Sequence, residues 1–335
     1  MKYIECSGSP YEMGCCYGET AREEIQFMVE CNRHWYDAEH LATWQKLAVS
    51  VMACHVPELL EELRGMAAAS SVSLEMLLAI NFVDTFDNAT NRCTPLLLHD
   101  SPQGPIVAKN NDAGEKEQCI FVTLKRCPSK GIPTLGVTYA GWLSGLDVMN
   151  EEGLANTHGS VGSKYDKSGL RLDIRLAMMQ GMTQCRTTRE LLDFLQRIPL
   201  TGKGFSIALG DKSGETCFLD AAVPRLVTHS HNVDFSFSTN LYRAAEVANM
   251  DQRTEAVRAL ATRRSAYIEK LQHKPEDLEQ IQGLLRDHSS PWAPCRHGGE
   301  SVSVTRWSMI CLPQAGQVFV ADGFPCQTPY LKYAI

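Results

Sequence analysis

The chain has 335 residues, 44 % of them hydrophobic and 21 % charged, with 32 Lys+Arg against 39 Asp+Glu and a formal net charge of −7. This composition excludes a disordered chain, a coiled coil and a collagen-like fibre, and the length is ample for a large core. The negative balance argues against a generic electrostatic grip on nucleic acid or on an anionic membrane.

Residues 17 to 86 read as mostly helical. Pro57 opens a helix in which Leu59, Leu60, Leu63 and Met66 recur at helical spacing, and Ser73 is placed to cap the next one, ahead of Met76, Leu77, Ile80 and Phe82. The polar stretch Asn88 to Asn91 predicts a loop. From Cys93 the texture changes to short apolar runs, Leu96 to Leu98, Ile106 to Ala108, Ile120 to Leu124 and Thr134 to Tyr139, separated by Gly, Pro and Asp; these predict adjacent antiparallel strands. Helices are expected over Leu170 to Met179 and Thr188 to Gln196, strands over Phe205 to Leu209, Thr216 to Leu219 and Phe235 to Ser238. Helices again over Arg253 to Leu271 and Leu278 to Asp287, and strands over Val302 to Leu312 and Val318 to Ala321, complete the chain. Strands and helices come in blocks, so a doubly wound parallel sheet is disfavoured, and two antiparallel sheets covered by helices are expected.

Thirteen cysteines show no regular spacing and no CxxC pair, so a zinc knuckle or a thioredoxin-type site is not expected. Met1 to Tyr11 lack the order of a secretory signal, and no run of about 18 apolar residues predicts a membrane span. A cytoplasmic protein with free thiols, most of them small core residues, is the resulting expectation. Gly202-Lys203-Gly204 lacks P-loop spacing, and GxGxxG, HExxH and GxSxG are absent. His229 with His231, and Cys295 with His297, offer N/S pairs, but surface loop residues are the favoured reading and no metal or organic cofactor is expected.

Asn91-Arg92-Cys93-Thr94 stands out, because a cysteine begins the first strand after a long helical preamble. Asn110-Asn111-Asp112 ends the next strand, so a hairpin would bring Cys93 and Asp112 to one end of a sheet. Ser238-Thr239-Asn240 ends another strand and could add an amide.

These segments resemble the acyl-CoA:6-aminopenicillanic acid acyltransferase family, a cysteine group within the N-terminal-nucleophile hydrolases. The likeness rests on Gly8-Ser9-Pro10-Tyr11-Glu12-Met13-Gly14 with Gly18 following, on Cys93-Thr94, on Asn110-Asn111-Asp112 and on Met149 to Leu154. Thr239-Asn240 and Gly323-Phe324-Pro325-Cys326 complete the set, in the family's order. Two positions depart from the pattern: Leu241 stands where a His usually follows Thr-Asn, and Arg92 stands where a Gly often precedes the nucleophile.

The resemblance implies an α+β, four-layer αββα N-terminal-nucleophile hydrolase fold. It implies self-cleavage between Arg92 and Cys93, giving a mostly helical fragment 1–92 and a catalytic fragment 93–335 that stay paired as one domain. Cys93 would be the nucleophile, its freed α-amine the base, Asp112 the group that tunes that amine, and Asn240 the oxyanion donor. Thr94, Asn110, Asn111, Asn150, Thr305 and Ser308 are secondary candidates. The expected reaction is hydrolysis of an amide in a small N-acyl or aminoacyl-amine through an S-acyl enzyme. An N-acyltransferase, a non-catalytic binding module on the same fold, and a thiol hydrolase using His99 or His158 without self-cleavage are the alternatives. The expected partners are a small-molecule amide and the two fragments for each other, with no nucleic acid or membrane and a homo-oligomer left open.

Overall fold

A computed structural model describes residues 1–33, 38–82, 93–116, 118–162, 171–229, 234–299 and 303–335. The loop expected around Asn88 to Asn91, Arg92 and His231 lie outside the described residues.

The chain opens with a strand that the sequence patterning does not announce, β1 (Lys2–Gly8). Five helices follow: α1 (Pro10–Thr20), α2 (Arg22–Asn32), α3 (Ala38–His55), α4 (Pro57–Ser70) and α5 (Leu74–Phe82). Next come the strands β2 (Thr94–Leu98), β3 (Ile106–Gly114), β4 (Phe121–Pro128), β5 (Thr134–Tyr139), β6 (Val148–Asn150), β7 (Ala155–Val161) and β8 (Leu172–Asp173). The second helical block is α6 (Ile174–Gln184) and α7 (Thr188–Gln196). β9 (Leu200–Thr201), β10 (Gly204–Gly210), β11 (Thr216–Ala222), β12 (Arg225–His229) and β13 (Phe235–Phe237) lead to α8 (Ala245–Ala248), α9 (Glu255–Glu269) and α10 (Leu278–Arg286). The chain closes with β14 (Ser303–Leu312), β15 (Gln317–Asp322) and β16 (Leu331–Ala334).

Among the described residues the strands form two large sheets, one ordered β1-β4-β5-β6-β7-β10-β11-β12 and the other β13-β2-β3-β14-β15-β16. The two sheets pack face to face through Leu97, Val107, Val137, Met149, Phe218, Trp307, Met309 and Val318. The outer face of the first sheet is covered by α1 to α7 through one large cluster that includes Met13, Ile25, Leu63, Leu77, Val122, Met178 and Ile207. The outer face of the second is covered by α9 and α10, where Ile268, Ile281 and Leu285 meet Leu96, Ala108, Ile310 and Phe237. Four layers in the order αββα result, as expected from the blocks of strands and helices.

Two details differ from the sequence reading: the helix expected over Leu170 to Met179 begins at Ile174, after the short strand β8, and two runs expected to be adjacent strands are not. The runs at 106–108 and 120–124 are not neighbours: β3 pairs with β2 and β14, whereas β4 crosses to the other sheet and pairs with β5 and, in parallel, with β1. Every residue of β3 is buried, since both faces of a central strand in this sandwich are covered. Alternation, the usual guide to which face a strand presents, is therefore muted.

The N-terminal glycine pattern has a packing cause. Ser9 caps α1 and shares a capping box with Glu12, and Pro10 occupies the first turn. Gly8 preceding it has φ +114°, a left-handed conformation that favours glycine. A Cβ on Gly14 would sit 1.9 Å from the Glu62 carbonyl oxygen, and one on Gly65 would sit 2.1 Å from that of Tyr11. The backbones of α1 and α4 thus touch, and this contact delivers Glu62 to Arg126 of β4 in a buried two-point ion pair. Gly14→Ala is expected to push the two helices apart at a cost of about 1–3 kcal/mol. Urea denaturation should show a lower midpoint, and an unchanged midpoint would remove the close-approach account of that motif.

Candidate active site

Strand period decides which groups meet. β2 and β3 pair with Thr94 opposite Asn110 and Leu96 opposite Ala108. Alternation sends Cys93 and Asn111 toward the space between the sheets, whereas Thr94 and Asp112 face the layer of α9. The Cys93 thiol, buried at the foot of β2, donates to Asn111 Oδ1 at 3.4 Å. It lines a pocket between the sheets whose walls include Phe121, Tyr139, Trp142, Phe205 and Trp307. The cavity is small, about 40 Å³, and also carries Asp147, His158, Arg175 and Lys203.

Behind the strand, Arg264 of α9 gathers the other expected groups. Its Nη2 donates to the Cys93 carbonyl at 2.7 Å and to Thr94 Oγ1 at 2.5 Å, and its Nη1 donates to Asn240 Oδ1 at 2.9 Å. The same guanidinium stands 3.9 Å from Asp112 Oδ2, as does Arg296 Nε. Because a guanidinium only donates, Arg264 fixes the orientation of the Asn240 amide. Asn240 Nδ2 then donates to the Ser160 carbonyl at 2.8 Å, and Ser160 lies on the pocket wall. Asn240 itself has φ +67°, a left-handed conformation tolerated best by glycine and asparagine. The left-handed turn follows the end of β13 and brings the amide beside Gly159, where a Cβ would lie 3.4 Å from Asn240 Nδ2.

Asp112 is wholly enclosed. Thr305 Oγ1 donates to its Oδ1 at 2.7 Å, a contact made where the register of β14 against β3 shifts between Thr305 and Trp307. That bulge lets Thr305 and Asp112 share a face. Burial raises the Asp112 carboxyl above the ordinary carboxylate range, against the pull of Arg296, Arg264 and the Thr305 hydroxyl. The Cys93 thiol is likewise raised, first by burial, with the Lys109 ammonium pulling it down and Asp112 pushing it up. A thiol raised in this way is protonated near neutral pH.

Several expected residues sit elsewhere. Asn110 Nδ2 donates to the carbonyls of Leu285 and Pro294, anchoring the end of α10. Asn150 closes its own turn by accepting from Leu154 N, and donates to the carbonyls of Met182 and Cys185. Ser308 bonds the Lys109 carbonyl and Tyr330 on the outer face of β14. His99 is at the far end of β2, bonded to Thr216 Oγ1 and Ser236 Oγ. His158 lines the pocket, but its Nδ1 is engaged by Asp147 Oδ1 at 3.0 Å.

The sequence reading missed Lys109, Asp147, Arg264 and Arg296. Lys109 Nζ, fully buried, contacts Asp147 Oδ2 at 2.9 Å and lies 5.1 Å from the centre of the Trp307 ring. A lysine within the apolar run Ile106-Val107-Ala108 onward was the available signal, because a charge in a doubly covered strand needs a buried partner. Arg264 and Arg296 carried no such signal: one lies on a helix with an ordinary charged face and the other in a loop. Among the described residues, the one grouping of three or more His, Cys or carboxylate donors close enough for a cation, His288, His297 and Cys326, is outside this pocket.

Burial alone would raise the Asp147 carboxyl, but His158 and the Lys109 ammonium outweigh it and hold the carboxyl below its usual range. Burial keeps His158 below the ordinary imidazole value. A depressed native-state carboxyl stabilises the fold above the unfolded value of about 3.9, and that contribution is lost as pH falls through the native value. Asp147→Asn, which strands the Lys109 charge, should cost about 3–5 kcal/mol at neutral pH. Denaturation midpoints against pH should show the gap from wild type narrowing below about pH 4; a gap independent of pH would contradict the ion pair.

The family model of acyl-coenzyme A:6-aminopenicillanic acid acyl-transferase matches residues 100–323, about two thirds of the chain, beginning shortly after Cys93. Among solved structures, penicillin V acylase from Agrobacterium tumefaciens is similar at 17 % identity and TM-score 0.45, over 72 % of this chain and 86 % of that one. A mutant of conjugated bile acid hydrolase from Clostridium perfringens is similar at 13 % identity and TM-score 0.39, over 72 % of this chain and 97 % of that one. A search of curated proteins finds no match. The match across two thirds of its length makes this chain a member of the acyl-coenzyme A:6-aminopenicillanic acid acyl-transferase family, and with it an enzyme of amide-bond hydrolysis or acyl transfer.

Proposed function

We propose that the protein is a self-processing cysteine amidohydrolase in which Cys93 is the nucleophile. The observation that carries this reading is the position of the Cys93 thiol: it forms part of an aromatic-lined pocket while its own carbonyl is clamped from behind by Arg264. A core cysteine would have neither feature.

In the uncut chain, the Cys93 sulfur adds to the carbonyl carbon of Arg92 and the carbon–nitrogen bond breaks. The thiol proton passes to the departing nitrogen. Water then hydrolyses the resulting ester of sulfur, freeing residues 1–92 and leaving Cys93 with an α-amine. That amine, with a reference pKa of about 7.7–8.0, supplies the base that the raised thiol otherwise lacks. Asp112 tunes the amine and keeps Arg264 and Arg296 in place. Asn240 donates to the developing oxyanion through the amide hydrogen not used by Ser160. Such a donor is worth roughly 10²–10³ in rate. Asn111 Nδ2, buried on the pocket wall without a hydrogen-bond acceptor, is a second donor suited to the substrate carbonyl.

The substrate is a small amide whose acyl or amine part is apolar or aromatic, matching the Phe121, Tyr139 and Trp142 wall. Water completes the turnover; an amine acceptor in place of water would make the same acyl-enzyme a transferase. Intact mass and N-terminal sequencing should find wild type as fragments of 92 and 243 residues, the second starting at Cys93. Cys93→Ala should give one folded, inactive chain of full length. Turnover of amides by an uncut wild-type chain would contradict the processing step, and turnover by Cys93→Ala would contradict the nucleophile.

A further inference from the structure

Beyond the pocket, the C-terminal Gly323-Phe324-Pro325-Cys326 segment meets the loop after α10 in an arrangement that the reaction above does not use. Cys295 Sγ lies 3.5 Å from Cys326 Sγ and 3.5 Å from His297 Nε2, and His297 Nε2 lies 3.2 Å from Cys326 Sγ. The donor atoms of His288, His297 and Cys326 all fall within 4.8 Å of one another. From these contacts we infer that Cys295, Cys326, His297 and His288 form a binding site for a zinc ion.

The spacing suits the ion. Tetrahedral zinc at about 2.3 Å from sulfur and 2.0–2.1 Å from nitrogen separates its ligands by roughly 3.3–3.8 Å. The separations among Cys295, Cys326 and His297 need shifts of only tenths of an ångström to reach that range, whereas His288, whose donor lies within 4.8 Å of those of His297 and Cys326, closes on the ion by rotation of its exposed side chain. Two thiolates and two imidazoles are a set that zinc prefers over the hard cations calcium and magnesium.

The surroundings hold the donors in position before any ion arrives. His288 Nδ1 is 3.0 Å from the Arg286 carbonyl, which makes Nδ1 the protonated nitrogen and leaves Nε2 to ligate. The His297 ring stacks on Phe324 at 4.1 Å between centres. The backbone on either side of Arg296 is tied down by Cys295 N to the Asp287 carbonyl and by Thr305 N to the Arg296 carbonyl. Arg286 Nε donates to the Pro325 carbonyl, so α10 also supports the turn that carries Cys326. Binding would proceed as zinc ion plus two thiols giving a dithiolate complex and two protons released to solvent. The ion would lock the loop to the turn after β15. Cys295 and His297 flank Arg296, so the site also braces the residue that faces Asp112.

The test uses the full chain, purified under reducing conditions and dialysed against zinc, then freed of loose metal by gel filtration. Elemental analysis should find about one zinc per chain, and cobalt substitution should give the intense visible bands and thiolate charge-transfer absorption of a tetrahedral sulfur-containing site. Cys326→Ser and the double variant Cys295→Ser/Cys326→Ser should lose the metal while keeping a native circular dichroism spectrum. Cys54→Ser, an exposed thiol elsewhere, should retain it. Wild type holding less than a tenth of an equivalent would overturn the inference. So would full retention in the double variant, or a Cys295–Cys326 disulfide persisting under reductant. Should the serine variants misfold, the cobalt spectrum of wild type still decides, because absence of thiolate charge transfer excludes these ligands.

Discussion

A single buried guanidinium organises the end of the molecule that holds Cys93. Arg264 reaches from α9 through the outer face of the second sheet and holds Cys93 by its carbonyl, Thr94 by its hydroxyl and Asn240 by its amide oxygen. Its charge also stands beside Asp112. These four residues come from three separate stretches of chain. Each alone would leave a polar group buried without a partner, which is costly. Together they satisfy one another, so the geometry of the cysteine is set by a network and not by its own strand alone. Lys109, Asp147 and His158 play the matching part on the pocket side, where a fully buried ammonium sets the charge near the thiol.

The division of labour between the two faces of β2 and β3 follows from strand period. The thiol and Asn111 look into the pocket, while Thr94 and Asp112 look at the helices. Cys93 thus faces the pocket on one side of the sheet and has the buried charges of Arg264 and Asp112 on the other. The Asp112 carboxyl is therefore enclosed on the α9 side, and burial raises it despite two neighbouring guanidiniums. The same burial holds the Cys93 thiol protonated, which is why the proposed mechanism takes its base from an α-amine freed by cleavage.

Much of this was legible in the sequence. The helical preamble, the switch to strands at Cys93, the hairpin that brings Cys93 and Asp112 to one end of a sheet, the Ser73 cap on α5 and the layered architecture all follow from local patterning and turn chemistry; that the thiol meets Asn111 rather than Asp112 is what the pairing register adds. The Gly14 and Gly18 pattern was visible too, although only the contact between α1 and α4 explains it. What was not legible depends on pairing at long range. β1 joins the sheet in parallel with β4, some 120 residues away, and nothing in Lys2 to Gly8 announces it. Asn110, Asn150 and Ser308 look like pocket residues because asparagine and serine at strand ends often are. Here they satisfy backbone carbonyls of neighbouring elements. Arg264 and Arg296 were invisible because a charged residue on an exposed-looking helix or loop gives no sign that it will be swallowed by the core.

The central claim is that an acyl group passes through Cys93 Sγ. Its most direct test is acid quench of the protein during turnover of an aromatic or aminoacyl amide, followed by peptide mapping and mass measurement. The account predicts an added acyl mass on the peptide beginning at Cys93, kept as a thioester under acidic digestion and shifting to the α-amine, with the thiol freed for alkylation, when the pH is raised. Turnover with that peptide unmodified, or with the acyl mass on any of the other twelve cysteines, would contradict it.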